Sequence, residues 1–268
     1  MIVDSHQHFW RYTDAEFGWI ASDALRRDFA PADLATTIAA AGVDATIAVE
    51  ARQCVEETEM LLAFAAENPF IAGVTGWLPI AADDFGRYLD RFLAAKDAKR
   101  GGLVALRHVV QDEPDDAFIL RDDFNRGVKL IERTDLAYEI LVFQRQLANA
   151  IAFADRHPNL RLVLDHMGKP ERTEDGRLNA EWVRLIREMA KRGNVWCKAS
   201  GLVTEVGHID FRPYLEIILS AFGPERVMWG SDWPVCTADI AYGEWLASCR
   251  EVLPETCFGS VAEKFYRL

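Results

Sequence analysis

The stretch IVDSHQHFW, residues 2–10, sets two histidines one residue apart, His6 and His8, with Asp4 two positions before them. Side chains of an extended strand alternate between faces, so this spacing predicts that Asp4, His6 and His8 point the same way. Two imidazoles at one strand end can bind a metal ion, polarise a carbonyl group or simply hydrogen-bond. His166 in VLDHMGKP and Asp232 in WGSDWPVC have the same form, a titratable group closing an apolar run. A carboxylate brought beside imidazoles suits hydrolysis. The carboxylate takes a proton from water, and N–H donors or a bound cation meet the charge that develops on the carbonyl oxygen. No G-x-S-x-G motif is present, and Cys197 and Cys236 lack a context for covalent catalysis.

Such groups act together only if the chain delivers them to one place. Short apolar runs rich in Val, Ile and Leu recur at 2–6, 45–51, 71–78, 103–110, 138–143, 160–166, 195–200 and 226–232. They read as strands buried on both faces. Amphipathic stretches separate them, among them PADLATTIAAAG, with Pro31 suited to a first helical turn and Gly42 to a C-cap. Alternating strands and helices predict parallel strands joined by right-handed crossovers. Eight such units in 268 residues have the size of a (β/α)₈ TIM barrel, an α/β fold, and no linker or composition shift divides the chain. The expectation is a single domain over residues 1–268. A doubly wound nucleotide binder would want G-x-G-x-x-G after an early strand, and none is found.

Barrel enzymes carry their reactive groups at the C-terminal ends of the strands. Those ends here offer His6 and His8, Glu50 and Arg52, Trp77, Arg107 and His108, Gln144, Asp165 and His166, Lys198 and Ser200, and Ser231 and Asp232. Of the adjacent Arg107 and His108 only one can face the barrel axis. The reading places His108 near the site, with Arg107 reaching the rim through its length. Glu50 can be a ligand, a substrate contact or the partner of an arginine. Lys198 is expected to form a structural ion pair with Asp232 or Glu50. His157, before a proline, is expected to cap a helix, and His208 to be solvated. Trp182 and Trp245 fall in amphipathic helices and belong to the core. Trp10, Trp77 and Trp233 stand at strand ends, where a ring can either pack a loop or offer a flat wall to a sugar.

A net charge of -12 argues against nucleic acid or an anionic membrane as partner. No apolar stretch is long enough to span a bilayer, and the chain opens without a signal-like segment. The five scattered cysteines contain no C-x-x-C pair, which suits a reducing compartment. A cytoplasmic protein is expected, with homo-oligomerisation left open.

With the motifs DSHQHFW, YEILVFQRQL, VLDHMGKP, CKASGLVTE and GSDWPVC in this order, the whole chain resembles the lactonase branch of the amidohydrolase superfamily, which holds sugar-acid and pyrone-dicarboxylate lactonases. The resemblance implies a hydrolase acting on a carboxylic ester in carbohydrate metabolism. It places His6, His8 and His166 around the substrate carbonyl, with Asp232 as the base. Binuclear members carry a lysine on strand four and a histidine on strand five. LVALRHVV and YEILVF have neither, so at most one divalent ion such as Zn²⁺ is expected, on His6, His8 and Asp232, and no cofactor is strictly required. The expected substrate is an aldonolactone of the L-fuconolactone type, bound by Glu50, Arg52, Trp77, Arg107, His108, Gln144 and Trp233. The rival readings are a mononuclear metal-dependent hydrolase or decarboxylase of a carboxylated ring, and a non-catalytic sugar-acid binding barrel.

Overall fold

A computed structural model describes residues 1–94, 101–174, 177–207 and 210–268. The strands are β1 (Val3–Gln7), β2 (Ala45–Val49), β3 (Ile71–Gly76), β4 (Leu103–Val109), β5 (Ala137–Leu141), β6 (Leu162–Leu164), β7 (Val195–Ala199) and β8 (Val227–Trp229). They form one parallel sheet in sequential order. β1 and the residues after β8 then meet. Gln7 bridges Trp233 in parallel, Asp232 N–H donates to the His6 carbonyl at 2.8 Å, and His8 N–H donates to the Trp233 carbonyl at 2.7 Å. The sheet is thus a (β/α)₈ barrel, and the hydrogen bonds that close it also set Asp232 beside the two N-terminal histidines.

The crossovers follow the patterning. Helix α1 (Pro31–Ala41) starts on Pro31 and ends where Gly42 takes a left-handed φ of 69°, which costs glycine little. Helices α2 (Val55–Glu67), α3 (Phe85–Ala94), α4 (Asp122–Ile131), α5 (Leu147–Arg156) and α6 (Ala180–Met189) follow β2 to β6 in turn. After β7 come the short α7 (Leu202–Val206) and then α8 (Arg212–Phe222). After β8 come α9 (Tyr242–Arg250) and α10 (Ser260–Tyr266).

Two apolar layers result. The larger lies between sheet and helices and includes Trp182 and Trp245, as their helical spacing predicts. The smaller fills the barrel with slim residues, among them Val3, Ala45, Ile47, Ala105, Ala137, Val163 and Met228, and Phe265 and Tyr266 of α10 pack against it. Slim side chains leave room on the axis for the charged groups of the next layer up. His157 follows α5, and its ring ties to Asn125 at 2.8 Å and Glu132 at 3.1 Å. His208 lies outside the described residues.

Among the described residues no helix is long and apolar enough to cross a membrane.

Candidate active site

The strands deliver an unusual density of charge to the barrel axis. Arg107 and Glu139 are register partners on β4 and β5, and both point inward. Arg107 Nε donates to Glu50 at 2.8 Å and its Nη1 donates to Asp165 at 3.0 Å. Lys198 on β7 donates to Glu139 at 2.6 Å and lies 3.0 Å from Asp165 Oδ1. Glu139 also accepts from Thr75 at 2.7 Å and Tyr266 at 2.5 Å. All these groups are buried. Unpaired charges there would cost several kcal/mol each, so the alternation of acid and base is what makes the layer tolerable. Burial alone would raise the Asp165 carboxyl, but Lys198 and Arg107 hold it below its ordinary range.

The structure reverses the expected roles on β4. Arg107 enters the axis, whereas His108 faces the helices, stacks on Phe118 at 4.8 Å between ring centroids and hydrogen-bonds Glu113 at 2.7 Å. Lys198 pairs with Glu139 and Asp165, not with Asp232 or Glu50. Glu50 takes the third of its alternatives, as Arg107's partner, and burial pushes its carboxyl up to about 8 despite that arginine.

Above this layer sit the histidines. His6 Nε2 lies 3.2 Å from His8 Nε2, and Asp232 Oδ1 lies 3.8 Å from the first and 3.4 Å from the second. The His166 ring centroid is 4.5 Å from that of His6. His6, His8, His166 and Asp232 are therefore brought together. Asp4 is not. The register of β1 on β2 shifts between Asp4 and Gln7, and such an irregularity breaks the alternation that would align Asp4 with His6. Its carboxylate instead accepts from Ser231 N–H at 2.8 Å and Tyr242 at 3.0 Å, and burial raises it to about 6.

Local backbone strain marks the same places. His166, Met167 and Lys169 have φ of 51°, 54° and 49°, and Asp232 has 60°. Each left-handed non-glycine residue costs about 1–3 kcal/mol and persists only where the surroundings enforce it. Trp182 enforces the first by donating to the Met167 carbonyl at 2.8 Å. Gly168 contributes too, since a Cβ there would stand 2.6 Å from Leu147. The strain aims the His166 ring, which meets Ser200 Oγ at 2.9 Å, and the Lys169 chain, which pairs with Glu205 at 3.0 Å.

A cleft of about 560 Å³ opens on these groups, with His8, His166, Asp232, Arg107, Arg52 and Lys169 in its wall. Burial holds the His166 imidazole well below its ordinary value against the pull of Asp232. Burial also opposes ionisation of Asp232, but the field of the basic groups around it outweighs burial and holds the carboxyl below its usual range.

Other expected contacts do not reach the wall. Trp77 donates to His108 at 3.2 Å, Trp233 packs edge-on against Phe29 and Phe9, and Gln144 accepts from Glu171 N–H at 2.9 Å. Trp10 packs its loop against Phe17, Trp19 and Phe29. The exposed tryptophan of the cleft is instead Trp19, in the loop after β1. Lys169 and Trp19 were missed because neither closes an apolar run. For Lys169 the usable signal was its place beside Gly168, where the chain must turn.

Gly201 gives a test of the His166 position. Its φ is 62°, and a Cβ would stand 2.4 Å from His166 Nδ1. Gly201→Ala is expected to lower kcat by roughly tenfold to a hundredfold through misplacement of the ring, with the far-ultraviolet circular dichroism unchanged. Undiminished turnover in a folded variant would remove His166 from the reaction.

Among the described residues two groups offer three close metal-ligating atoms: His6, His8 and Asp232, and His6, Asp165 and His166. His8 suits a ligand, because its Nδ1 lies 2.8 Å from the Val49 carbonyl and leaves Nε2 free. The second group is not free in this sense. Lys198 Nζ stands 3.0 Å from Asp165 Oδ1 and 3.1 Å from His6 Nδ1, so an ammonium already fills the place.

A family model described as amidohydrolase matches residues 3–268. The chain is 40% identical over 259 residues to the L-fucono-1,5-lactonase of Burkholderia multivorans, covering 90% of this chain and 85% of that one. It is 37% identical over 285 residues to the L-fucono-1,5-lactonase of Burkholderia ambifaria, covering 99% and 95%. A crystal structure of a Burkholderia multivorans amidohydrolase with bound zinc superposes with a TM-score of 0.92 at 37% identity, covering 100% of this chain and 99% of that one. With the family model and the strand order agreeing along nearly the whole length, the chain belongs to the amidohydrolase family.

Proposed function

We propose that this protein hydrolyses a sugar-acid lactone, an aldonolactone of the L-fucono-1,5-lactone class. The observation that carries the reading is Asp232, a buried carboxylate held ionised in the cleft wall, 3.4 Å from His8 Nε2. Water placed against it attacks the lactone carbonyl carbon and gives its proton to Asp232. The oxyanion collapses, the ring C–O bond breaks, and Asp232 returns the proton to the ring oxygen. Cleft groups able to meet the oxyanion are His166, Lys169 and Arg107. An alkoxide leaves more readily than an amide nitrogen, so this inventory suffices for an ester.

The activity named for the two Burkholderia relatives supports the substrate class. Charge in the cleft supports a neutral ring over a dicarboxylated one. Arg52 is engaged by Glu57 at 2.7 Å and by Glu16, Lys169 by Glu205, and Arg107 by Glu50 and Asp165. A dicarboxylate would want its own cations, often in bidentate pairs. Sugar hydroxyls can use Gln53, Gln111, Thr204 and the paired acids, with Trp19 as a flat face.

His6, His8 and Asp232 would hold one divalent ion, and the zinc named for the Burkholderia multivorans structure supports that metal. Such an ion supplies a Lewis acid and a more acidic bound water.

The test is a pH-indicator assay with L-fucono-1,5-lactone, since the acid formed releases a proton at neutral pH. The expected result is ring opening far above the spontaneous rate. A rate equal to the blank, with and without added Zn²⁺, overturns the reading.

A further inference from the structure

His6 is wholly buried and is not part of the cleft wall, yet it touches both the charged layer below and His8 above. Its Nδ1 lies 3.1 Å from Lys198 Nζ. Lys198 sits between the carboxylates of Glu139 and Asp165, the company of an ammonium, which has donors only. His6 Nδ1 must then accept, and a neutral imidazole carries its single proton on the other nitrogen, Nε2. At the far end, His8 Nδ1 lies 2.8 Å from the Val49 carbonyl, which can only accept, so His8 carries its proton on Nδ1 and its Nε2 is bare. The two ends do not depend on each other, and they agree in the middle. The 3.2 Å contact between the Nε2 atoms then has one donor, His6, and one acceptor, His8.

Two contacts point the other way, and the first is Asp232 Oδ1, a carboxylate oxygen 3.4 Å from His8 Nε2 that would want a donor. In the second, Arg107 Nη1 lies 3.4 Å from His6 Nε2, where it would want an acceptor. Both are longer than the contacts of 3.1, 3.2 and 2.8 Å that set the tautomers, and Nη1 already donates to Asp165 at 3.0 Å. The shorter contacts prevail.

We propose that Lys198 is a positioning residue that sets the tautomer of His6 to match the one the Val49 carbonyl sets on His8, so that hydrogen bonds run one way from Lys198 through His6 and His8 to that carbonyl. The bare Nε2 of His8 faces the cleft 3.4 Å from Asp232 Oδ1. Two acceptors side by side suit one water molecule, which donates one hydrogen to each and turns a lone pair outward. His8 thereby orients the nucleophile and is not a donor to the carbonyl. A second consequence concerns metal. An ion shared by His6, His8 and Asp232 needs the lone pair of His6 Nε2, the atom on which this arrangement keeps a proton. Lys198 therefore weakens divalent-ion binding at that group.

The use of His8 to orient water rests on the lactonase reading, whereas the tautomers do not. They are read without substrate by long-range ¹H–¹⁵N correlation of the metal-free, ¹⁵N-histidine-labelled protein near neutral pH, with His6 and His8 assigned from His6→Gln and His8→Gln spectra. The expected result is His6 protonated on Nε2 alone and His8 on Nδ1 alone. His6 protonated on Nδ1, or His8 on Nε2, overturns the proposal even if the lactone is turned over. The expected tautomers in a protein inert toward lactones would sink the lactonase reading and leave this one standing. Lys198→Met, of similar length but without donors, is expected to move the His6 proton to Nδ1, with Asp165 Oδ1 at 3.6 Å as acceptor. It should also tighten Zn²⁺ binding roughly tenfold or more in competition with a chromophoric chelator. An unchanged tautomer in the folded variant overturns the proposal. If the variant fails to fold, the wild-type spectrum decides alone.

Discussion

Asp232→Asn should keep the fold and bind substrate with little change in KM, yet lose at least roughly a hundredfold in kcat, the usual scale for a lost general base. Asparagine has the shape of aspartate but takes no proton from water. The backbone N–H of residue 232 still donates to the His6 carbonyl, so the closure of the barrel survives the change. The left-handed φ of 60° is also tolerated by asparagine as readily as by aspartate. Loss of kcat with an unchanged unfolding midpoint is thus the signature of the chemistry. A folded Asp232→Asn protein with near-normal turnover would take Asp232 out of the mechanism.

Divalent metal should bind to at most one equivalent per chain. His6, His8 and Asp232 converge on one point, while Lys198 occupies the only other grouping found among the described residues. Two cations at 3 Å spacing would repel strongly in a buried site. His8→Ala removes the ligand best prepared for an ion and should weaken Zn²⁺ binding by more than about a hundredfold, beyond the loss seen for a supporting partner alone. Elemental analysis after exhaustive dialysis against Zn²⁺ checks the stoichiometry. Two tightly held ions per chain, or full affinity in His8→Ala, would contradict the assignment.

The barrel was legible because each strand is buried on both faces and so stands out as an unbroken Val, Ile and Leu run. The grouping of His6, His8, His166 and Asp232 followed from the barrel, since strand ends share one rim. Pairings within the charged layer were not legible. Whether Lys198 meets Glu139 and Asp165 or Glu50 depends on which side chains face each other across the axis, and spacing along the chain is silent on that. The choice between Arg107 and His108 failed on strand phase, which an apolar run on both faces conceals. Asp4 was misdirected by an irregularity in β1 that the sequence does not announce. The aromatic wall is expected at strand ends, where Trp77 hydrogen-bonds His108 and Trp233 packs against Phe29 and Phe9, while the exposed Trp19 belongs to a loop without periodicity.

The claim that the cleft takes a neutral sugar lactone is tested most directly by kcat/KM for L-fucono-1,5-lactone against 2-pyrone-4,6-dicarboxylate under one set of conditions. All three cations of the cleft wall are already paired with acids, so the account predicts preference for the sugar lactone by at least roughly a hundredfold, a scale that two unpaired carboxylates readily supply. Equal or better turnover of the dicarboxylate would contradict it, and would mean that Arg52, Arg107 or Lys169 leaves its partner to bind substrate.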